Sequence, residues 1–192
     1  SVRGQGLSGG LSNLMSTIEA DDLIEIVEWV KRDSVNGSNP SKILIMGGSQ
    51  GGAVPLIAAI RGMRVAAIIN SVATPDFASS WIENGCAKMS LLWTIEYTPD
   101  TARYNGQVDR MSDWIYADTK PYWDSLKHYM PIGRDFVNGL GSITTPVLIE
   151  AAWQDKFFNA DGWIQHIDKI NNAPLTSYLG AVRGHGSDIS YT

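Results

Sequence analysis

The sequence predicts an α/β domain: a mostly parallel sheet flanked by helices, with a helical cap inserted over the sheet's carboxyl edge. Three observations carry this reading. Short runs that are apolar on both faces, at 42–46, 65–70 and 146–151, read as buried parallel strands, and 176–182 reads as a fourth strand. Helical periodicity separates them, and a strand–helix–strand unit with short links implies a right-handed crossover and parallel neighbours. Between the second and third runs the composition shifts toward tryptophan and tyrosine, and an unstructured loop of that length would be improbable in a compact domain.

In chain order, Ser16-Thr17-Ile18-Glu19 opens a helix as a capping box. Ser16 would accept from the Glu19 N–H while the Glu19 carboxylate reaches back to the Ser16 N–H. Leu23, Ile26, Val27 and Val30 then recur at helical spacing as one buried stripe, which ends at Lys31-Arg32 before the turn formers Asn36 to Pro40. The run at 42–46, followed at once by glycines, reads as a central strand. An apolar helix at 53–60 follows, ended by Gly62, with Pro55 expected in its first turn, where a missing N–H costs little. A further helix is expected across Ala160 to Ile170, before the last strand.

Residues 77–141 hold Trp81, Trp93, Trp114 and Trp123 with Tyr97, Tyr104, Tyr116, Tyr122 and Tyr129. They are expected to form short helices capping a core built from 1–76 and 142–192. The aromatics would pack this cap on the body, and some would wall a pocket. Val2 to Gly6 resembles a strand end running into a glycine loop. Four parallel strands with an open edge leave an unpaired backbone row, so the chain is expected to be a piece of a larger catalytic domain or to complete its sheet through another segment, with a homo-oligomer as the alternative partner.

Composition narrows the function. The chain has 192 residues, 44% hydrophobic and 18% charged, with net charge −5 and mean hydropathy −0.09, the balance of a globular domain. An acidic net charge gives no footprint for nucleic acid or an anionic membrane. No apolar run approaches the roughly 18 residues of a spanning helix, and residues 1–10 show no signal-peptide pattern. Cys86 is the single cysteine, which excludes an intramolecular disulfide or a cysteine zinc site but does not assign a compartment. With His128, His166 and His185 as the histidines and no HExxH, the sequence implies no metal or organic cofactor.

The chemistry centres on Gly47-Gly48-Ser49-Gln50-Gly51-Gly52, a G-x-S-x-G pattern where a buried strand meets a helix. That junction is the context a nucleophile elbow needs. Glycines two before and two after Ser49 would admit close backbone approach. The helix N-terminus would favour negative charge beside the hydroxyl, and the Gln50 N–H would face a forming oxyanion. A serine at neutral pH needs a base, and His185, between Gly184 and Gly186 just past the fourth strand, is the candidate. Asp155, just past the third strand, is placed to orient it. Asp161 and Asp168 fall within the next helix, and His128 and His166 read as surface or packing residues. Ser49, Asp155, His185 is the chain order of α/β-hydrolase triads, so the expected reaction is acyl transfer to water from a small-molecule ester or peptide.

Arg3 to Gly10, the Ser49 elbow, Trp153-Gln154-Asp155-Lys156-Phe157-Phe158 and Gly184-His185-Gly186 together resemble the Xaa-Pro dipeptidyl-peptidase and cocaine-esterase family of serine hydrolases. The resemblance implies an α/β-hydrolase fold with Ser49, Asp155 and His185 as triad and the cap shaping the acyl pocket. Gln50 stands where the family commonly has tyrosine, and only a backbone N–H is required there. The family's second oxyanion donor, an upstream tyrosine hydroxyl, and its carboxyl-terminal β-sandwich are not represented. The Arg3–Gly6 and elbow segments also resemble carbohydrate acetyl-esterases such as cephalosporin C deacetylase, although Lys156 to Asn159 stands where those carry cysteine-proline-proline. A non-catalytic hydrolase-fold binding domain is the alternative from another class. No residue is identified that would hold a peptide's α-ammonium.

Overall fold

The structure, a computed structural model, describes residues 1–32, 37–96, 102–181 and 184–186. Tyr97 and Val182 lie outside them. The chain runs through α1 (Thr17–Arg32), β1 (Leu44–Gly48), α2 (Gln50–Ile60) and β2 (Ala67–Ser71). Next come α3 (Phe77–Trp81), a two-stranded antiparallel ribbon of β3 (Ile82–Glu83) and β4 (Cys86–Ala87), α4 (Met89–Glu96), α5 (Gly106–Ala117) and α6 (Lys120–Tyr129). A 3-10 turn, Val137–Ser142, leads to β5 (Val147–Ala152), α7 (Asp161–His166) and β6 (Leu175–Gly180). This is the α/β-hydrolase fold: β1-β2-β5-β6 pair in that order, all parallel, with helices packed against them.

The four predicted strands are present, each displaced by one or two residues. The position of β1 differs from expectation. It lies at an edge of the four-stranded sheet rather than at its centre, and Leu44 and Met46 are 53% and 54% exposed. A run apolar on both faces records what its side chains would bury against, not how many strands pair with it.

At the start of α1 the Glu19 carboxylate accepts the Ser16 N–H at 2.8 Å, as the capping box requires. The reciprocal half differs: the Ser16 hydroxyl donates to Glu19 Oε2 at 2.8 Å and accepts from the Ile18 N–H at 3.2 Å instead of from that of Glu19. Glu19 also takes the Asn13 N–H at 2.6 Å and the Ser12 hydroxyl at 3.1 Å, so this buried carboxylate ties the preceding loop to the helix. The buried face of α1 runs through Ala20, Leu23, Ile24 and Val27 against α2, while Ile26 is 54% exposed. Ile24 takes the packing position the sequence stripe gave to Ile26. Helix α2 starts at Gln50, earlier than the apolar run suggested, which puts Pro55 in its second turn. There the proline ring removes an intrahelical donor.

The N-terminal loop is stitched to the segment after α4. The Arg103 N–H donates to Gly4 O at 2.7 Å, the Ser12 N–H to Arg103 O at 2.7 Å, and the Asn105 N–H to Ser12 O at 2.9 Å. A side chain at Gly4 would sit 2.5 Å from Arg103 O, and its φ is +71°, so only glycine fits this crossing. Arg134, 2% exposed, clamps the insertion from the other side. Its guanidinium donates to carbonyl oxygens of Asn13, Leu14, Tyr129, Met130 and Ile132. Leu14 and Met15, at φ 59° and 60°, form the strained turn it holds.

Candidate active site

Ser49 occupies the turn between β1 and α2 at φ 56° and ψ −123°, a sparsely populated conformation for a non-glycine residue that surrounding bonds must enforce. Its N–H donates to Ser71 O at 2.9 Å, and its carbonyl accepts from Gly52 and Ala53 at 2.9 and 3.0 Å. The glycines are needed, with one change from the predicted pair. A Cβ at Gly47 would lie 2.2 Å from Gly51 O, as the elbow requires. On the far side the close approach is at Gly52, 2.8 Å from Ser71 O, while Gly51 has open space. Gln50, as the first helical residue, has an N–H with no intrahelical acceptor.

Register aligns the sheet's carboxyl ends: Gly48 pairs with Ser71, Ser71 with Glu150, and Ala152 with Gly180. The turn after β1 and the loops after β5 and β6 therefore open on one edge. Beyond β5, Asp155 is 5% exposed, and its Oδ1 accepts the N–H groups of Phe157 at 2.7 Å and Phe158 at 3.0 Å. These bonds fix the plane of the carboxylate. His185 Nδ1 stands 2.8 Å from Asp155 Oδ2 and 3.0 Å from Oδ1. With Nδ1 donating to the carboxylate, the tautomer leaves the lone pair on Nε2. The ring is braced by Phe157 and Phe158, whose centroids lie 4.5 and 5.6 Å away.

Ser49 and His185 line one pocket of about 350 Å³, within the range of small-ligand sites. Its other walls are Gln5, Leu14, Met15, Gln50, Trp81, Trp93, Thr94, Ala102, Tyr104, Phe157 and Phe158. A larger open cleft, about 1020 Å³, lies between α1 and the edge strand β1, with Gln5 and Gln50 shared between the two. It contains the Arg3–Asp22 ion pair but neither Ser49 nor His185. Asp161 is the exposed first residue of α7; His166 faces Asp76 at 3.9 Å, and His128 packs on Tyr129. Among the described residues no cluster of histidine, cysteine or carboxylate groups could hold a metal ion.

Of the aromatics in residues 77–141, Trp81, Trp93 and Tyr104 line the pocket. Trp81 is fully buried, stacked on Phe158 at 5.4 Å, whereas Trp93 is 51% exposed and meets Phe157 edge-on at 6.0 Å. Trp114 stacks on Tyr129 at 5.4 Å and the Trp123 Nε1–H donates to Asp118, and neither is among the pocket's walls. Sequence reasoning gave no role to Gln5, Leu14 or Met15. Gln5 lies in the glycine-rich opening segment, but Leu14 and Met15 left no signal in the sequence because their placement depends on Arg134.

A family model described as X-Pro dipeptidyl-peptidase (S15 family) matches residues 1–184. The chain belongs to that family. The match favours the first of the two resemblances in the sequence. No curated protein matches the chain in sequence. Among solved structures, a CocE/NonD family hydrolase from Staphylococcus aureus superposes with TM-score 0.66 at 19% identity, covering 93% of this chain and 31% of that one. An esterase of Pyrococcus furiosus gives TM-score 0.59 at 16% identity, over 100% of this chain and 62% of its own. An acylaminoacyl peptidase of Pyrococcus horikoshii gives 0.60 at 14% identity, over 98% and 28%. The family member described here thus spans less than two thirds of these chains, and the likenesses establish its fold.

Proposed function

We propose that the chain is a serine hydrolase that cleaves a carboxylic ester or peptide bond through an acyl-enzyme on Ser49. The observation that carries this reading is His185, bonded through Nδ1 to buried Asp155 and lining one pocket with Ser49. In this mechanism His185 Nε2 takes the Ser49 proton as Oγ attacks the acyl carbon. The Gln50 N–H and the α2 N-terminus stabilise the oxyanion. The imidazolium, stabilised by Asp155, then protonates the leaving group. Water, deprotonated by His185, releases the acid in the second half-reaction. Residues 77–141 act as a cap on the core of 1–76 and 142–192, a reading supported by Trp81, Trp93, Thr94, Ala102 and Tyr104, which line the pocket together with Ser49. The described walls of the pocket hold no Asp, Glu, Lys or Arg, which favours a neutral acyl group.

A fluorophosphonate probe tests the reading. Labelling is expected on the parent and absent in Ser49→Ala; a folded parent that is not labelled refutes it.

A further inference from the structure

The strained backbone of Ser49 is tied to the neighbouring strand. Its N–H donates to Ser71 O at 2.9 Å, and a Cβ added at Gly52 would lie 2.8 Å from the same oxygen, so both sides of the elbow close on the last residue of β2. Beyond Ser71 the chain turns at once through Val72, at φ 45°. That left-handed value is an outlier for a β-branched residue, and such strain persists only where surrounding bonds enforce it. Two bonds from this corner go to Glu150 on β5. The Val72 N–H donates to Glu150 O at 2.9 Å, and the Ser71 hydroxyl donates to Oε2 of the Glu150 carboxyl group. Ser71, Val72 and Glu150 are all buried. A buried carboxyl group is costly to keep, and Glu150 is neither a triad member nor a wall of the pocket.

We propose that Glu150 and Ser71 are positioning residues for the nucleophile: by accepting the Ser71 hydroxyl, Glu150 fixes the carbonyl that holds the Ser49 N–H, and so sets Ser49 Oγ against His185. The proposal rests on the serine-hydrolase reading above. Strand β5 then locates two members of the triad at once, Asp155 through the loop that follows it and Ser49 through Ser71. With the Ser71–Glu150 bond cut, the corner relaxes and Ser49 moves off its line of attack while the pocket walls stay in place. Chemistry slows and binding does not, since a misplacement of about 1 Å can cost on the order of 10²-fold in rate.

The test is the rate at which an alkyl fluorophosphonate labels Ser49, followed over a range of probe concentrations so that the maximal rate separates from the half-saturating concentration. Ser71→Ala and Glu150→Leu remove the bond from opposite ends. Each is expected to lower the maximal rate about tenfold, the effect of one buried hydrogen bond, with the half-saturating concentration unchanged. Glu150→Gln keeps an acceptor oxygen for the Ser71 hydroxyl and is expected to recover most of the parental rate. Trp114→Ala, a destabilising change outside the pocket walls, should label at the parental rate. Circular dichroism checks folding; if Glu150→Leu does not fold, Ser71→Ala and Glu150→Gln decide. The positioning assignment is overturned, and the hydrolase reading left standing, by a parental maximal rate in folded Ser71→Ala or by a loss that appears in the half-saturating concentration instead. A Glu150→Gln rate as low as that of Ser71→Ala, or an equal loss in Trp114→Ala, overturns it as well. A folded parent that is not labelled refutes the hydrolase reading, and this assignment with it.

Discussion

Replacing Arg134 with methionine should cost this protein about 2–4 kcal/mol of stability and disturb the pocket at the same time. The guanidinium is almost wholly buried, and burial lowers its pKa to about 10, so it remains a cation at neutral pH. Its bonds to carbonyl oxygens are therefore charge-assisted. The Nε–H reaches Leu14 O at 2.8 Å and an Nη1–H reaches Met130 O at 3.1 Å, both in buried surroundings. Methionine fills most of the stem volume but leaves those two carbonyls without donors, at ~1–3 kcal/mol each. Relief of the buried charge offsets part of this, which places the net loss in the lower half of the summed range. For a domain of this size that is a fall in melting temperature of roughly 5–15 °C. Urea unfolding at pH 7 measures the loss directly. Leu14 and Met15 wall the pocket, so ester KM should rise in the same variant. A folded Arg134→Met protein with parental stability and parental KM would refute the clamp.

Asp155→Asn should keep the fold and lower kcat by about 10⁴, because the amide favours the wrong imidazole tautomer, a loss of that order being known for this change in a serine protease; near-normal turnover in this variant alongside a dead Asp161→Asn would reassign the acid. Trp93→Ala should shift the kcat/KM ratio between short and bulky acyl esters about tenfold with little change in melting temperature, since Trp93 is half exposed at the pocket. Trp114→Ala should instead lose about 3–5 kcal/mol with acyl preference unchanged. Asp135 has its pKa raised, chiefly by burial, against the lowering effect of the Phe77 and Ala78 N–H groups it accepts. Between the ordinary aspartate pKa and the raised folded value the native state holds more protons than the unfolded chain, so this carboxyl makes stability fall as pH rises through that window. Asp135→Asn should gain on the parent as pH rises there, and an unfolding series from acid to neutral pH with a constant difference would contradict the assignment.

The strand runs, the elbow and the order Ser49, Asp155, His185 were legible because each rests on local chemistry. A buried strand must be apolar, a turn at φ 56° must have glycines beside it, and a loop past a strand's carboxyl end falls on a known edge of the sheet. What escaped the sequence was fixed by contacts distant along the chain. Pocket walls such as Leu14 and Met15 carry no spacing signature, since Arg134, more than a hundred residues away, holds them in place. The same holds for the edge position of β1, which is set by strand pairing rather than by its own side chains, and for the division of labour between Trp93 and Trp114, which are alike in sequence context. The Gln5–Gln50 bond combines both cases. Each residue stands in a glycine-rich motif that the sequence exposes, one after Gly4 and one after Ser49, yet only their meeting across 45 positions holds the Gln50 carboxamide. Local rules therefore place Ser49, Asp155 and His185 in this protein, and long-range packing determines the walls of the pocket beside them. Substitutions at the walls should alter which ester is cleaved before they alter whether any ester is cleaved.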